Sequence, residues 1–531
     1  MSIKQRIVLS QARAEDDAYN TISIQDLSGG ENTIQDAQNI SDNQAVELTN
    51  VDIGIAGQRK KRPGLTLLED LEKDSQVLLS HFEPDGSTNE LHSVIVSGTD
   101  TAVFQWASAG SFSKIVGSDN IVDTDIPIAF KVFKSGSDGD VMVYGSKTKN
   151  WHEIQQDNTV TDLGNTSGTG SDSPPRSNVG TFYNSRFWVL VDNKLYYSDA
   201  FSDNYSSAFD TRAAGNNYNM PVGIERFLIG IRGKGLICGG NDEIRFITPS
   251  TVPDAGDESG ILVKDGCVAN RSAVLAGDDI LYLAKDGVRG VFKTQFDTLQ
   301  YKTSLPISYP LKDQLDIVNW AHIDKASAVY YDNKYFIALP TSSSTYNNTA
   351  WVYYPATNGW MVIEGWNVAD WSVLQVNGKD KLFAIDATDG KVYYAWDGSD
   401  DNGADFTYTE TTKRLDLGSM FEEKVGGEVM VRLKATSQIN VSVYASFDES
   451  DFNKLGDIFT ADRTTNFAAW TLPMEFYDAA IYTEKFHLDA YGEWYQIQIK
   501  IEHNGASGED LTILQSAILA RLNKYLSEEL D

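Results

Sequence analysis

The chain is short of positive charge: 44 Lys and Arg stand against 75 Asp and Glu in 531 residues, a formal net charge of -31. Such a field repels phosphate, which argues against nucleic-acid binding over most of the surface and leaves room only for local or slippery contact with DNA. Cysteine is scarcer still, with Cys238 and Cys267 alone. Two thiols make neither a disulfide framework nor a four-ligand zinc site, so reduced, packed side chains are expected. No stretch of about 18 apolar residues occurs, and the opening MSIKQRIVLSQARAEDD lacks an apolar run of leader length. The expectation is therefore a protein without a membrane-spanning segment, made and folded in a cytoplasm. Helical spacing is rare too: few segments place apolar residues three and four apart over several turns.

What is present is strand chemistry. The 41% hydrophobic and 11% aromatic content exceeds that of a disordered chain, and the length exceeds what one core supports. Short runs of Val, Ile, Tyr, Phe and Trp, separated by Gly, Asn and Asp, read as a mainly β protein. They recur as pairs, among them LHSVIVSGTDTAVFQW from Leu91, DVMVYGSKTKNWHEI from Asp140, RFWVLVDNKLYYSDA from Arg186, DILYLAKDGVRGVFKT from Asp279 and KLFAIDATDGKVYYAWDG from Lys381. The starts advance by roughly 45 to 55 residues, the length of four short strands with their connections, which is the period of a propeller blade. A β-propeller of six or seven blade-like sheets over residues 76–410 is expected, with sandwiches or irregular sheets as the competing arrangement.

From about Leu415 the texture becomes the alternation of half-buried antiparallel strands, as in VMVRLKA, INVSVYA and YQIQIKI, which predicts a C-terminal β-sandwich over 411–531. Residues 1–75 are polar and rich in Asn, Gln and Asp; they cannot build a core and are expected to form an N-terminal extended arm or docking segment packed on the chain or on another subunit. Asn165–Asn178 and Asn204–Met220 have the composition of long exposed loops.

Patterns for catalysis are missing. The six histidines, His81, His92, His152, His322, His487 and His503, form no ligand cluster, and no nucleophile elbow, phosphate-cradling loop or sialidase-type Asp box occurs. The loop DGSDDNGAD, Asp397–Asp405, has a calcium-like composition out of register and is expected to be a solvated turn. A carboxylate pair of the glycosidase kind stays open, since separation in space cannot be read from sequence. No catalytic residue, metal site or cofactor is assigned.

One motif runs against the overall charge. QRKKRPG places Arg59, Lys60, Lys61 and Arg62 side by side, followed by Pro63 and Gly64. In an extended strand Arg59 and Lys61 share one face and Lys60 and Arg62 the other. The stretch containing it, GENTIQDAQNISDNQAVELTNVDIGIAGQRKKRPG, resembles the tail nozzle (tail tubular protein B) family of short-tailed bacteriophages, related to packaged-DNA stabilisation proteins. The likeness rests on Asn32, Asp36, Asp42, Gln44, Ala45, Leu48, Asn50, Val51, Gly57, Arg59, Lys60, Arg62, Pro63 and Gly64. A second stretch, GCVANRSAVLAGDDILYLAKDGVRGVF from Gly266 with LPISYPLKDQL after it, is similar to a later part of the same proteins.

The resemblance implies a structural subunit of the virion tail, a β-propeller in a homohexameric ring below portal and adaptor, in contact with tail fibres or spikes and transiently with double-stranded DNA. Under that reading Arg59, Lys60, Lys61 and Arg62 pack against an acidic surface of the chain itself, of a neighbouring subunit or of the adaptor. The ring's lumen is expected to be lined mostly by carboxylates and the two long loops are candidates for a gate. A host-surface binding module and an envelope-polysaccharide hydrolase are the alternatives.

Overall fold

In a computed structural model the chain is described over residues 19–522, apart from 55–56, 58, 84–88, 108–109, 125, 137–138, 165–171, 210–215, 251–252, 254–257, 300–303, 436, 461–479 and 506–508. Gln58, the tip of each candidate gate loop and residues beyond 522 therefore lie outside the described residues.

The blades form because their strands are apolar on both faces. In Asp140–Gly145, Val141 and Val143 point into one cluster with Trp151, Phe187 and Val189, while Met142 and Tyr144 point into another with Phe82, Val94 and Val103. The next sheet repeats this: Phe187 and Val189 face backward, Trp188 and Leu190 forward onto Leu236 and Cys238. With a side-chain period of two, a sheet buried on both sides must read as a continuous apolar run, which is the pattern in the sequence. The turns are equally local. Asp192–Asn193 and Asp332–Asn333 each take positive φ at both positions, as does Asn377–Gly378, the geometry of the two-residue hairpin turn that matches strand twist.

Four-stranded sheets span Ser75–Lys114, Ile128–Asp162, Gly180–Asn219 and Phe227–Val263, a three-stranded sheet spans Val274–Gly290, and the four strands of Ser327–Glu364 form a blade at one end of a larger sheet. The last blade takes Val368–Val376, Lys379–Asp386 and Lys391–Ala395 from one part of the chain and Leu65–Asp70 from another, paired antiparallel to Lys391–Ala395. The innermost strand of this blade, Val368–Val376, lies beside those of the first blade and of the Ser327–Glu364 blade, which closes the ring. The protein is thus a mainly β fold with six four-stranded propeller blades and additional sheets, as the repeat spacing predicts. Cys238 and Cys267 are free and buried in different inter-sheet clusters. Among the described residues, no helix is long and apolar enough to cross a membrane.

Two further sheets face each other over a core that includes Val429, Val431, Leu433, Ile513 and Ile518 from one and Val441, Val443, Ile499 and Ile501 from the other. The described part of the N-terminal segment is woven through this region. Tyr19–Ile24 and Arg59–Lys61 pair with Leu511–Leu522 in one sheet. Gln44–Thr49 lies between blade strand Gly359–Glu364 and Phe406–Thr412 in the other, so one ten-stranded sheet runs from a propeller blade into the sandwich. Phe406–Thr412, which straddles the boundary expected between propeller and sandwich, pairs with Ile497–Gly505 and belongs to the sandwich side of that sheet.

Candidate functional site

The QRKKRPG cations sit where these sheets meet, and the structure turns three of the four inward. The strand pairs Thr512 with Lys60 and Ile513 with Arg59, and its burial alternates: Arg59 and Lys61 are buried and Lys60 is exposed. Arg62, one residue past the strand, is buried too. The expected contact with a neighbouring subunit or adaptor is thus open, within this chain, to Lys60 alone; Arg59, Lys61 and Arg62 are enclosed because each meets an acceptor inside the fold.

Arg59 lies between the two sandwich sheets. Its Nη1 is 3.0 Å from Oε1 of Glu410, with both side chains at 0% exposure, and Nη2 donates to Ser516 Oγ at 3.4 Å. Glu410 Oε2 accepts from Tyr408 Oη at 2.5 Å. Burial raises the Glu410 carboxyl above the usual range, while Arg59 and the Tyr408 hydroxyl pull it back. An uncompensated charge here would be very costly, so the pair and its hydrogen bonds stand or fall together.

Arg62 binds across the join between sandwich and propeller. Its guanidinium makes a two-toothed contact with Asp401, 2.9 Å and 2.7 Å to the two oxygens, and Nε donates to Asn50 Oδ1 at 2.7 Å. It stacks between aromatic neighbours, 3.8 Å from the Phe406 ring centre and 4.7 Å from that of Trp366, whose Nε1 also donates to Asp401. Planar, permanently charged and weakly hydrated, guanidinium suits such a place better than ammonium does. Burial lowers the Arg62 pKa, countered by Asp401. Lys61 reaches the carbonyls of Ser399 and Glu509 and lies 4.6 Å from the Phe406 ring centre; burial lowers its pKa, opposed by Glu509.

These contacts reassign the acidic loop Asp397–Asp405. It was expected as a solvated turn, yet Asp401 is the receptor for Arg62 and Trp366, and the Ser399 carbonyl receives Lys61. Gly64 explains the Pro-Gly ending: a Cβ there would fall 1.8 Å from the Asp400 carbonyl oxygen, so only glycine lets the cationic segment Arg59–Gly64, the strap, touch the loop. Among the described residues no group of three or more His, Cys, Asp or Glu is arranged to hold a metal.

A second buried acid lies at the upper end of the same segment. The Glu31 carboxylate oxygens accept from the Leu48 N–H at 2.9 Å and Gln314 Nε2 at 3.4 Å, with Glu47 and Asp313 nearby, and burial pushes its pKa up to about 8. Sequence reading missed Glu31, Glu410, Asp401 and the aromatic pair Trp366 and Phe406. Their one visible signal was the Gly- and Asp-rich loop that contains Asp401 and that Phe406 directly follows.

On the last blade, beside the turn after its innermost strand, a cleft of about 440 Å³ is lined by Val376, Asn377, Lys379, Lys381, Tyr394 and Asp397. Lys381 and Asp397 form an ion pair at 3.1 Å across it.

No family profile matches the chain, and neither does any curated protein sequence. Among solved structures, similarity is found to PorZ, a surface component of the type-IX secretion system of Porphyromonas gingivalis, at 10% identity and TM-score 0.35, over 62% of this chain and 38% of that one. An exo-β-1,3-galactanase from Phanerochaete chrysosporium matches at 9% identity and TM-score 0.24, over 86% of this chain and 100% of its own. The K3 adhesin domain of Lys-gingipain from Porphyromonas gingivalis matches at 14% identity and TM-score 0.16, over 27% of this chain and 74% of its own.

Proposed function

We propose that this chain is a structural, non-catalytic virion protein: a tail nozzle subunit that assembles into a homohexameric ring below portal and adaptor and serves as conduit and plug for double-stranded DNA. The observation that carries the reading is where the family-like residues fall. Asn50, Arg62 and Gly64, which carry part of the sequence resemblance, join the propeller to the sandwich, and Arg59, from the same motif, ties the two sandwich sheets together. A motif with that duty supports a shared architecture better than a shared surface composition would. The charge balance supports the same job, since carboxylates facing DNA give no counterion-release affinity and let the duplex slide. Electron microscopy of the purified protein and of the particle containing it tests the proposal. Six-fold rings at the tail, with an acidic lumen wide enough for a duplex, are expected; a stable monomer, or a lumen rich in Lys and Arg, would refute it.

The cleft beside Tyr394 favours a second reading, a module that holds host-surface glycans. Its lining carries one carboxylate, Asp397, already paired to Lys381, which suits holding a sugar better than cleaving it. Glycan-array binding lost on Tyr394→Ala would favour this reading.

A further inference from the structure

One loop of the sandwich spends considerable structure on keeping apolar side chains in water. In Asp416–Glu423, Phe421 is 86% exposed and Met420 45%, and beside them lie Val425 at 37% and Tyr495 at 39%. The loop is pinned on both sides. Leu417 is buried in the core, takes a positive φ of 50°, and its carbonyl accepts from Asn20 Nδ2 at 2.8 Å. On the other side the fully buried Lys424 ammonium donates to the Ser419 carbonyl and, at 2.9 Å, to the Tyr495 carbonyl. Between these anchors the Gly418 N–H donates to Asp416 Oδ1 at 2.9 Å, and Tyr495 Oη donates to Glu423 Oε1 at 2.6 Å. A Phe and a Met held out on a pinned loop resemble the anchors of an interface before their partner arrives: the ordering cost of binding has been met in advance.

Charge identifies the partner's chemistry. Asp416, Glu422 and Asp448 act on the Lys424 ammonium beneath the loop, and Glu423, Asp448 and Glu493 act on the Tyr495 hydroxyl. Among the described residues, the cations close by include Lys424, buried under the loop, Arg414, paired to Glu449, and Arg521, which faces Val425 in the adjoining strand. An apolar knob ringed by carboxylates calls for an apolar pocket edged by Lys or Arg. A second copy of this chain, at a net charge of -31, is a poor source of such a rim, and anionic lipid headgroups would be repelled by this one. We propose that the Met420–Phe421 loop is a docking knob for a different protein that offers an apolar pocket bordered by basic side chains. The proposal is independent of the tail assignment.

The test places the photo-crosslinking residue p-benzoylphenylalanine at Met420 in the full chain, made in the cells that naturally produce it. Irradiation should yield one adduct with a different polypeptide, and the crosslinked peptide should combine apolar residues with Lys or Arg. Adding Phe421→Ser should lower its yield at least tenfold without moving the thermal midpoint, and Glu422→Gln with Glu423→Gln should lower it severalfold and flatten its salt dependence. An adduct only with a second copy of this chain, or no adduct, would overturn the proposal. So would flotation of the purified protein with neutral or anionic phospholipid vesicles that Phe421→Ser abolishes, which would make the loop a membrane contact.

Discussion

The blades between Ser75 and Val263 and the seam where propeller meets sandwich are built by opposite rules. In the blades, neighbouring strands are neighbours in the chain, several turns are only two or three residues long, and apolar side chains fill most of both faces, with the buried Lys134–Glu153 pair as an exception. In the seam and the sandwich beside it, strands from 19–70 are inserted among strands from 359–522, and two buried ion pairs interrupt the apolar core: Arg62 with Asp401 at the join and Arg59 with Glu410 between the sandwich sheets. The difference teaches where specificity of assembly resides. Apolar faces are interchangeable and would tolerate a blade pairing with the wrong neighbour. A buried guanidinium accepts only the position in which its carboxylate waits, so the ionic seam fixes which strand goes where, at some cost in stability.

The sharpest way to break this comparison is Arg59→Met. It leaves Glu410 buried without its counter-charge and should cost about 3–5 kcal/mol in denaturant unfolding, whereas Arg59→Met with Glu410→Leu should recover most of the loss. Equal damage from the single and double variants would show that packing, not charge, holds the seam. Next in size is Glu31. Its carboxyl ionises at 4.5 in the unfolded chain and at about 8 in the folded one. The folded state therefore keeps a proton that the unfolded state gives up as pH rises from 4.5 to about 8, and stability falls across that window and levels off above it. Glu31→Gln should remove this fall, stabilising the fold by about 4 kcal/mol at pH 8 and by almost nothing at pH 4, read from thermal or denaturant midpoints across pH. Gly64→Ala follows, at about 2 kcal/mol, because its Cβ would collide with the Asp400 carbonyl and force strap and loop apart. The smallest effects sharpen the contrast: Lys60→Ala, on the exposed side of the strap, and Lys114→Ala, which removes an exposed blade pair with Asp119, should each change stability by less than about 0.5 kcal/mol.

How much of this was legible follows from the same contrast. The blades could be read because their evidence is local: VMVYG alternates between two cores, and a single Asp-Asn turn marks each hairpin at 192 and 332. The sandwich strands could be read from their alternation, although their boundary could not, since Phe406–Thr412 looks like one more blade strand until its partners are known. The seam was legible only in outline. The alternation put Arg59 and Lys61 on one face, and an acidic surface of the chain itself stood among the possible partners, but Glu410 and Asp401 lie more than three hundred residues away along the chain and nothing near QRKKRPG announces them. Charge patterning describes the solvent face of a protein well and fails where a charge is buried with a distant partner.

The strand Leu65–Asp70 has a consequence in time as well as in space. It is the fourth strand of the last blade, and the strand it pairs with, Lys391–Ala395, leaves the ribosome only after every other blade has been made. At about 5–20 residues per second, the early strand waits for tens of seconds with an unpaired edge while the blades between are synthesised. The propeller is therefore a clasp that closes once, late, and its closure brings the cationic strap next to Leu65–Asp70 up against Asp401 in the same movement.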